Sequence, residues 1–278
     1  MKVSNKFLNM ALVLLLGFSS SLAHAIDPDK PEIILGKGHG PSSDVFIGGI
    51  KPILEKQGYK VTIRSLSELF NADLALNEGE VDINVEQHTA YMNLFNKNQN
   101  GDLVGLTPIP TIMAAIYPGS KKSLKDVADG DHFAIPNDAS NTARCLAILQ
   151  KAGLVKFDPN KDPISITTND IVENPKNLQF TELHPGTIPT VASDFDFIII
   201  PGPRAYDAKM DPNTALIRED LKPHLLLQAV VKKANKDKIW AKDIIKAYRS
   251  PEFKEFFIKN YDSGYWYYPE KEYNEKSK

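Results

Sequence analysis

From residue 32 onward, short β-rich segments alternate with longer segments of helical periodicity. Strand candidates such as Ile33–Leu35 and Phe133–Ile135 are each followed by a polar loop and then by a helical stretch. This order of elements predicts parallel sheets covered by helices, because a parallel strand pair needs a crossover connection. The 278 residues have room for about two domains at ~150 residues each.

Two apolar segments of extended character interrupt this alternation. The first, Leu106–Tyr117, is marked by prolines, and the second, Leu225–Val231, leads into Lys232. We interpret both as crossovers between lobes. The fold class is then α/β and bilobal, with residues 26–112 and 228–278 forming a discontinuous first lobe and residues 113–227 forming the second.

The first 25 residues have the pattern of a secretory signal peptide. Lys2 and Lys6 give a positive start, an apolar run from Met10 to Phe18 follows, and Ala23-His24-Ala25 is a small-x-small cleavage site. We therefore expect cleavage after Ala25 and a periplasmic protein. Because no cysteine lies near that site, we expect no lipid anchor there, and no later stretch reaches the ~18 apolar residues of a membrane span.

Charge and cysteine content narrow the possible partners. With 33 Lys and Arg against 35 Asp and Glu, the formal net charge is −2, which gives no basic footprint for nucleic acid. The single cysteine, Cys145, permits neither an intramolecular disulfide nor a Cys-only metal site. We expect a small-molecule or protein partner and no cofactor.

Ligands of open α/β sheets sit beyond the carboxyl ends of the strands. Four loops of this chain occupy such positions, two from each predicted lobe, and they should line a cleft between the lobes. They are residues 36–44, 86–91, 136–144 and 201–204.

Candidate binding residues lie in two of these loops. We place Arg144 in the first turn of a helix that begins near Asn141, where free backbone amides and a guanidinium would form an anion pocket for a carboxylate. The alternative is a solvated or salt-bridged arginine. His88 and Tyr91 are one helical turn apart and can face the same space, although such a pair is more often structural. Glu86 and His88 suggest a metal site only weakly, because no further ligand stands at suitable spacing.

Three other patterns are better explained by a structural role than by binding or catalysis. The glycines of Gly36-x-Gly38-x-Gly40 lack the spacing of a nucleotide-binding motif and favour a tight turn. Cys145 is interpreted as a core residue. The aromatic cluster at residues 261–268 is interpreted as packing of the C-terminal segment onto its lobe.

Several segments together resemble the NlpA family of exported methionine-binding lipoproteins, which serve ABC importers. The matching segments are Ile50-Lys51-Pro52-Ile53-Leu54, Leu74-Ala75-Leu76-Asn77-Glu78-Gly79-Glu80-Val81-Asp82, Gln87-His88-x-x-Tyr91, Ile135-Pro136-Asn137-Asp138-x-x-Asn141-x-x-Arg144 and Ala152-Gly153-Leu154. The resemblance is weaker after about Asp170.

The resemblance implies a periplasmic-binding-protein fold of the type II kind, two α/β lobes joined by two crossovers that close around an amino acid. It also implies that Arg144 and Asn141 hold the ligand α-carboxylate, that His88 adds a hydrogen bond, and that Tyr91 lines the side-chain pocket.

This chain departs from the family pattern at three places. Glu86 and Leu69 stand where the family has aromatic residues, and Pro201-Gly202-Pro203 replaces an Asn-x-Asn that binds the ligand amino group. A carboxylate beside a thioether is costly unless it is paired. Glu86 therefore indicates a ligand with a polar or cationic side chain, or it replaces the missing asparagine as the ammonium partner.

The resulting hypothesis is a non-enzymatic periplasmic substrate-binding protein. It captures methionine or a related amino acid and delivers it to an inner-membrane ABC permease with its ATPase. Two alternatives stay open: a ligand-sensing clamp for a membrane receptor, and a secreted enzyme that uses Glu86 and His88 as acid and base. For Arg144→Ala, the sequence predicts loss of affinity with little change in stability.

Overall fold

The computed structural model describes residues 26–38, 40–261 and 264–275. The expected signal peptide, residues 1–25, lies outside the described residues, as does His39. The strands are β1 Glu32–Lys37, β2 Lys60–Ser65, β3 Asn84–His88, β4 Leu103–Pro108, β5 Thr111–Ile112, β6 Ala115–Pro118, β7 His132–Pro136, β8 Lys156–Phe157, β9 Ile171–Glu173, β10 Gln179–Leu183, β11 Phe197–Ile200, β12 Ile217–Arg218, β13 Leu227–Lys232 and β14 Trp266–Tyr267.

The α-helices alternate with these strands, and a π-helical turn over Phe46–Ile50 joins the first two. They are α1 Pro41–Val45, α2 Lys51–Gln57, α3 Leu69–Glu78, α4 Thr89–Gln99, α5 Ala139–Lys151, α6 Gly202–Asp207, α7 Ile239–Tyr248, α8 Pro251–Tyr261 and α9 Glu270–Glu275. Within the described part of the chain, none of the helices combines the length and apolar character that crossing a bilayer requires.

The architecture is bilobal and α/β, as predicted. In the first lobe β1 pairs in parallel with β2, and β13 lies between β3 and β4. A parallel bridge between Leu35 and Ile83 connects the two groups. The buried core of this lobe combines residues near the start of the chain, such as Leu35, with residues near its end, such as Phe253.

The second lobe is built around a five-stranded sheet in the order β10-β7-β11-β6-β12. Its most buried strand is β11, whose four residues are fully enclosed. The core on one face includes Phe133, Leu146 and Phe197. Residues 113–227 remain our proposed extent of this lobe.

The sheets are mixed, whereas the order of elements in the sequence predicts parallel ones. β13 runs antiparallel to β3 and β4, and β6 runs antiparallel to β11. The strands next to the interlobe segments account for this: β13 returns to the first lobe antiparallel to β3 and β4, and β6, the first strand of the second lobe, is paired antiparallel by the later strands β11 and β12. The segment that we interpreted as the return crossover is thus the central strand of a first-lobe sheet.

The aromatic C-terminal segment packs as expected. Trp266 and Tyr268 contact Phe257 of α8, and β14 pairs antiparallel with β5. The same segment also reaches the second lobe, because Tyr206 of α6 makes edge contacts with Tyr265 and Trp266. These side chains therefore hold the C-terminus against both lobes and do not line the cleft described below.

Candidate functional site

A cavity of about 350 Å³ lies where loops of the two lobes face each other. Its size falls within the range of small-molecule sites. All four predicted loops contribute to its wall, as do all five candidate residues. The lining residues are Gly40, Pro41, Ser42, Glu68, Leu69, Phe70, Glu86, Gln87, His88, Tyr91, Asn137, Asp138, Asn141, Arg144, His184, Pro185, Pro201, Pro203, Arg204 and Leu227.

Strand β3 places two of the candidates. Glu86 and His88 are two residues apart on this strand, so their side chains leave the same face of the sheet. His88 ends β3 and is also the N-cap of α4, and its Nδ1 atom accepts a hydrogen bond from the backbone N–H of Tyr91 at 3.1 Å. This contact fixes the ring and sets its edge against the ring of Tyr91.

The environment of His88 keeps the imidazole neutral. The residue is only 4% exposed, and burial together with the nearby positive charge of Arg144 lowers its pKa to about 3. Because Nδ1 is an acceptor, the neutral ring carries its proton on Nε2. That atom is buried and has no hydrogen-bond partner of acceptable geometry among the described residues.

A second buried polar atom approaches from the other lobe. Asn141, in the first turn of α5, interacts with the His88 ring, and this interaction partly offsets the lowering of the His88 pKa. Its Oδ1 atom forms no hydrogen bond of good geometry among the residues that the structure describes. Its Nδ2 atom is held by Asp138 Oδ1 at 2.9 Å, which points the amide oxygen away from that carboxylate. Unpaired buried donors and acceptors cost free energy. A ligand whose polar atoms are better placed than these two groups are for each other would therefore bind at this point of the cavity.

The start of α5 differs from the predicted anion pocket. The helix begins at Ala139 and not near Asn141, because Asp138 caps it by accepting the backbone N–H of Asn141 at 3.1 Å. Arg144 consequently lies in the second turn. The carboxylate of Asp138 already occupies the position at which an external anion was expected, so the predicted pocket at this helix start is wrong.

Arg144 lines the cavity, but its charge is compensated. Its guanidinium forms a bidentate pair with Glu219, with Nε 2.7 Å from Oε2 and Nη2 bonded to Oε1. Both side chains are 3% exposed, and Nη2 also reaches the carbonyl oxygen of Ile112 at 3.3 Å. Of the alternatives posed by the sequence, the salt-bridged one describes this side chain, although the pair is buried. Glu219 was missed because 75 residues separate it from Arg144.

The carboxylate of Glu86 is held in place by hydrogen bonds and contacts from the glycine-rich turn and from Ser43. Its Oε1 atom accepts a hydrogen bond from Ser43 Oγ, and the carboxylate also accepts one from the backbone of Gly40. A Cβ atom at Gly38 would lie 2.3 Å from Glu86 Oε2, and one at Gly40 would lie 3.1 Å from it. The carboxylate thus packs directly against Gly38 and Gly40, and a side chain at Gly38 would force the carboxylate to shift. The turn interpretation of this motif did not anticipate this contact.

Opposing effects act on the charge of Glu86. Burial raises the pKa of the carboxyl above its ordinary value, while the Ser43 and Gly40 hydrogen bonds and the charges of Arg204 and Lys37 act in the other direction. Burial likewise raises the pKa of Tyr91 above its usual range, so the phenol stays protonated. The described residues contain no group of His, Cys, Asp and Glu suited to hold a metal ion.

Several lining residues were not predicted individually. Arg204 follows Pro203 in a loop that the sequence did place at the cleft, whereas His184 and Leu227 carry no local signal. Leu69 lines the cavity together with Phe70, whose side chain is part of the rim and is 43% exposed. The cavity wall thus combines an apolar part with charged groups from both lobes.

The chain is similar to known proteins over most of its length. Residues 33–267 match the family model described as NlpA lipoprotein. The probable D-methionine-binding lipoprotein MetQ of Pasteurella multocida is 30% identical over 251 residues, which cover 87% of this chain and 89% of that protein. The methionine-binding lipoprotein MetQ of Bacillus subtilis is 27% identical over 265 residues, covering 93% and 96%.

A solved structure extends the likeness to three dimensions. The nutrient binding protein of Burkholderia cenocepacia, bound to methionine, superposes with a TM-score of 0.79 at 33% identity. The match covers 85% of this chain and 99% of that protein. These relatives are described as binding proteins, and the similarity includes both lobes.

Proposed function

Because the chain belongs to the NlpA lipoprotein family, we propose that it is an exported substrate-binding protein. It encloses methionine or a related amino acid between its two lobes and delivers it to an inner-membrane ABC permease with its ATPase. Relatives that are described as methionine-binding proteins support the ligand class.

One observation carries this proposal: the His88 Nε2 donor and the Asn141 Oδ1 acceptor come from different lobes and approach each other at the cavity wall, and neither forms a hydrogen bond of good geometry among the described residues. A zwitterion offers an acceptor and a donor within a few ångströms, so it can satisfy both atoms at once. A ligand that contacts both lobes favours the closed arrangement, because only that arrangement provides all of its contacts.

The proposed site comprises His88, Tyr91, Asn141, Arg144 and Glu86. His88 and Asn141 contact polar atoms of the ligand, and Tyr91 contributes part of the apolar wall. Arg144 contributes its one Nη atom that the Glu219 pair does not use. Since His88 is neutral and hydrogen-bonded at Nδ1, it acts here as a hydrogen-bond donor and not as a base.

Calorimetric titration tests the binding activity. The protein is unfolded to release any co-purified ligand, refolded, and titrated with L- and D-methionine and then with the other amino acids. We expect one site per chain and a heat signal that His88→Ala and Asn141→Ala each weaken. Asn98→Ala serves as a matched control, since Asn98 is exposed on α4. Absence of binding by every amino acid and dipeptide would exclude the proposal.

Export is tested on the full chain expressed with its natural N-terminus. We expect the protein in the periplasmic fraction with Ile26 as its first residue. A chain that keeps Met1 in the cytoplasm contradicts the proposed location.

A further inference from the structure

Two charged side chains of opposite lobes face the same cavity without touching. Glu86 belongs to β3 and Arg204 to α6, and both line the wall. No ion pair joins them among the described residues, although the charge of Arg204 acts on the carboxyl of Glu86. A positive and a negative group are thus held apart across the space in which a ligand would lie.

The carboxylate of Glu86 cannot easily cross this gap. Hydrogen bonds from Ser43 Oγ and from the backbone of Gly40 hold it on the first-lobe side, where it packs against Gly38. A fixed, half-buried carboxylate with its oxygens already oriented loses little entropy when it binds a cation.

Arg204 is the better available partner for an anion. The other arginine of the cavity wall, Arg144, is neutralised by a bidentate carboxylate, and Asp138 already occupies the start of α5. The ion pair of Arg204 is looser, since its Nη1 atom lies 3.6 Å from Asp207 Oδ2. An entering carboxylate gains more from an arginine whose charge is loosely paired than from one that is fully paired.

We infer that Glu86 and Arg204 bind the two charged groups of an amino acid, Glu86 the α-ammonium and Arg204 the α-carboxylate. Electrostatics fixes this orientation, because the reverse one would bring like charges together on both sides. The ligand class is therefore an α-amino acid with both groups free. This inference rests on the proposed function and resolves the role that the sequence left open for Glu86.

The test uses the full mature protein and truncated ligands. For methionine, 4-(methylthio)butanoate lacks the ammonium and 3-(methylthio)propylamine lacks the carboxylate; equivalent analogues are used if another amino acid binds. Each is titrated calorimetrically into wild type, Glu86→Gln and Arg204→Gln. Glu78→Gln, exposed at the end of α3 and outside the cavity wall, and Arg64→Gln, in an exposed ion pair with Glu80, are the matched controls.

For wild type, loss of either ligand group should weaken binding by roughly tenfold to a hundredfold, as expected for a charge-assisted hydrogen bond. Glu86→Gln should weaken methionine by a similar factor and leave the affinity for 4-(methylthio)butanoate unchanged. Arg204→Gln should also weaken the binding of methionine by a similar factor, and it should leave the affinity for 3-(methylthio)propylamine unchanged. Both controls should bind methionine as wild type does.

Two results overturn the inference, and they are distinguishable. If amino acids bind but Arg204→Gln weakens the binding of methionine and of the amine equally, or of neither, the proposed roles of Glu86 and Arg204 are excluded. The binding function then still stands. If no amino acid binds wild type, the proposed function fails and the inference fails with it. Urea unfolding of each variant shows whether a loss of affinity reflects a loss of folded protein.

Discussion

His88 accepts at Nδ1 the backbone N–H of Tyr91, 3.1 Å away, and so caps the helix that carries the tyrosine. The same contact determines which ring nitrogen keeps its proton, and it turns the Nε2 donor toward the cavity. One imidazole therefore stabilises α4 and prepares a ligand contact, and the two roles can be separated by substitution.

Asparagine is a good N-cap, whereas alanine cannot cap. We expect His88→Ala to lower the free energy of unfolding by about 1 kcal/mol more than His88→Asn does. Both variants should lose affinity for the ligand, because neither offers the Nε2 donor in the same place. Urea unfolding and calorimetry measure the two effects; equal stability of both variants would show that the cap contributes nothing.

The pH dependence of stability should reveal the neutral ring. In the folded protein the pKa of His88 is lowered to about 3, so only the unfolded chain takes up this proton as the pH falls below its ordinary value of 6.5. The contribution of the neutral His88 ring to the free energy of unfolding is complete above that pH. It is lost on acidification, at about 1.4 kcal/mol per pH unit. Between pH 7 and pH 5 we expect wild type to lose about 2 kcal/mol relative to His88→Asn.

The measured quantity is the difference in stability between wild type and His88→Asn, because other groups affect the pH dependence of stability in the opposite sense. Burial raises the pKa of Asp73 and of Glu86, and such carboxyls stabilise the fold at low pH and lose that contribution as the pH rises. Both groups are present in wild type and variant, so they cancel. Parallel stability curves for the two proteins would contradict a buried neutral His88.

The Arg144–Glu219 pair changes what is expected of Arg144 variants. Removal of one partner leaves the other charge buried, so Arg144→Met should lower the free energy of unfolding by about 3–5 kcal/mol. Combining it with Glu219→Met should restore most of that loss. Urea unfolding of the ligand-free proteins measures both. The sequence predicted little change in stability for loss of this arginine, and an unaltered midpoint for Arg144→Met would favour that earlier prediction.

Cys145 should be inert in the folded protein. The thiol is fully buried in the second-lobe core, and burial raises its pKa despite the adjacent Arg144. We expect Ellman's reagent to label it at the rate of global unfolding in buffer and within seconds in 8 M urea, on the order of the free-thiol rate. Rapid labelling under native conditions would mean that this part of α5 opens locally.

Local signals predicted the elements and the loops of the site well. The strand candidates Ile33–Leu35 and Phe133–Ile135, which lie within β1 and β7, each follow from residues close in the chain. The end of β3 likewise allowed us to predict that His88 and Tyr91 face the same space, because a strand followed directly by a helix limits where both side chains can point.

Contacts between distant residues decided the rest. Glu219 neutralises Arg144 and Ser43 holds Glu86, and neither partner has a spacing that a single sequence can reveal. The start of α5 moved by two residues because a capping carboxylate outweighs the periodicity that follows it. The glycines beside Glu86 could be explained only once the approach of the carboxylate was known.

The position of β13 imposes an order on assembly. Its residues, Leu227–Lys232, hydrogen-bond to β3 on one side and to β4 on the other, so those earlier strands have no common neighbour until the chain is four-fifths complete. The five strands of the other sheet all lie between Ala115 and Arg218. During synthesis from the N-terminus onward, the lobe encoded in the middle of the chain can therefore complete its sheet first, and the lobe encoded at the start must wait.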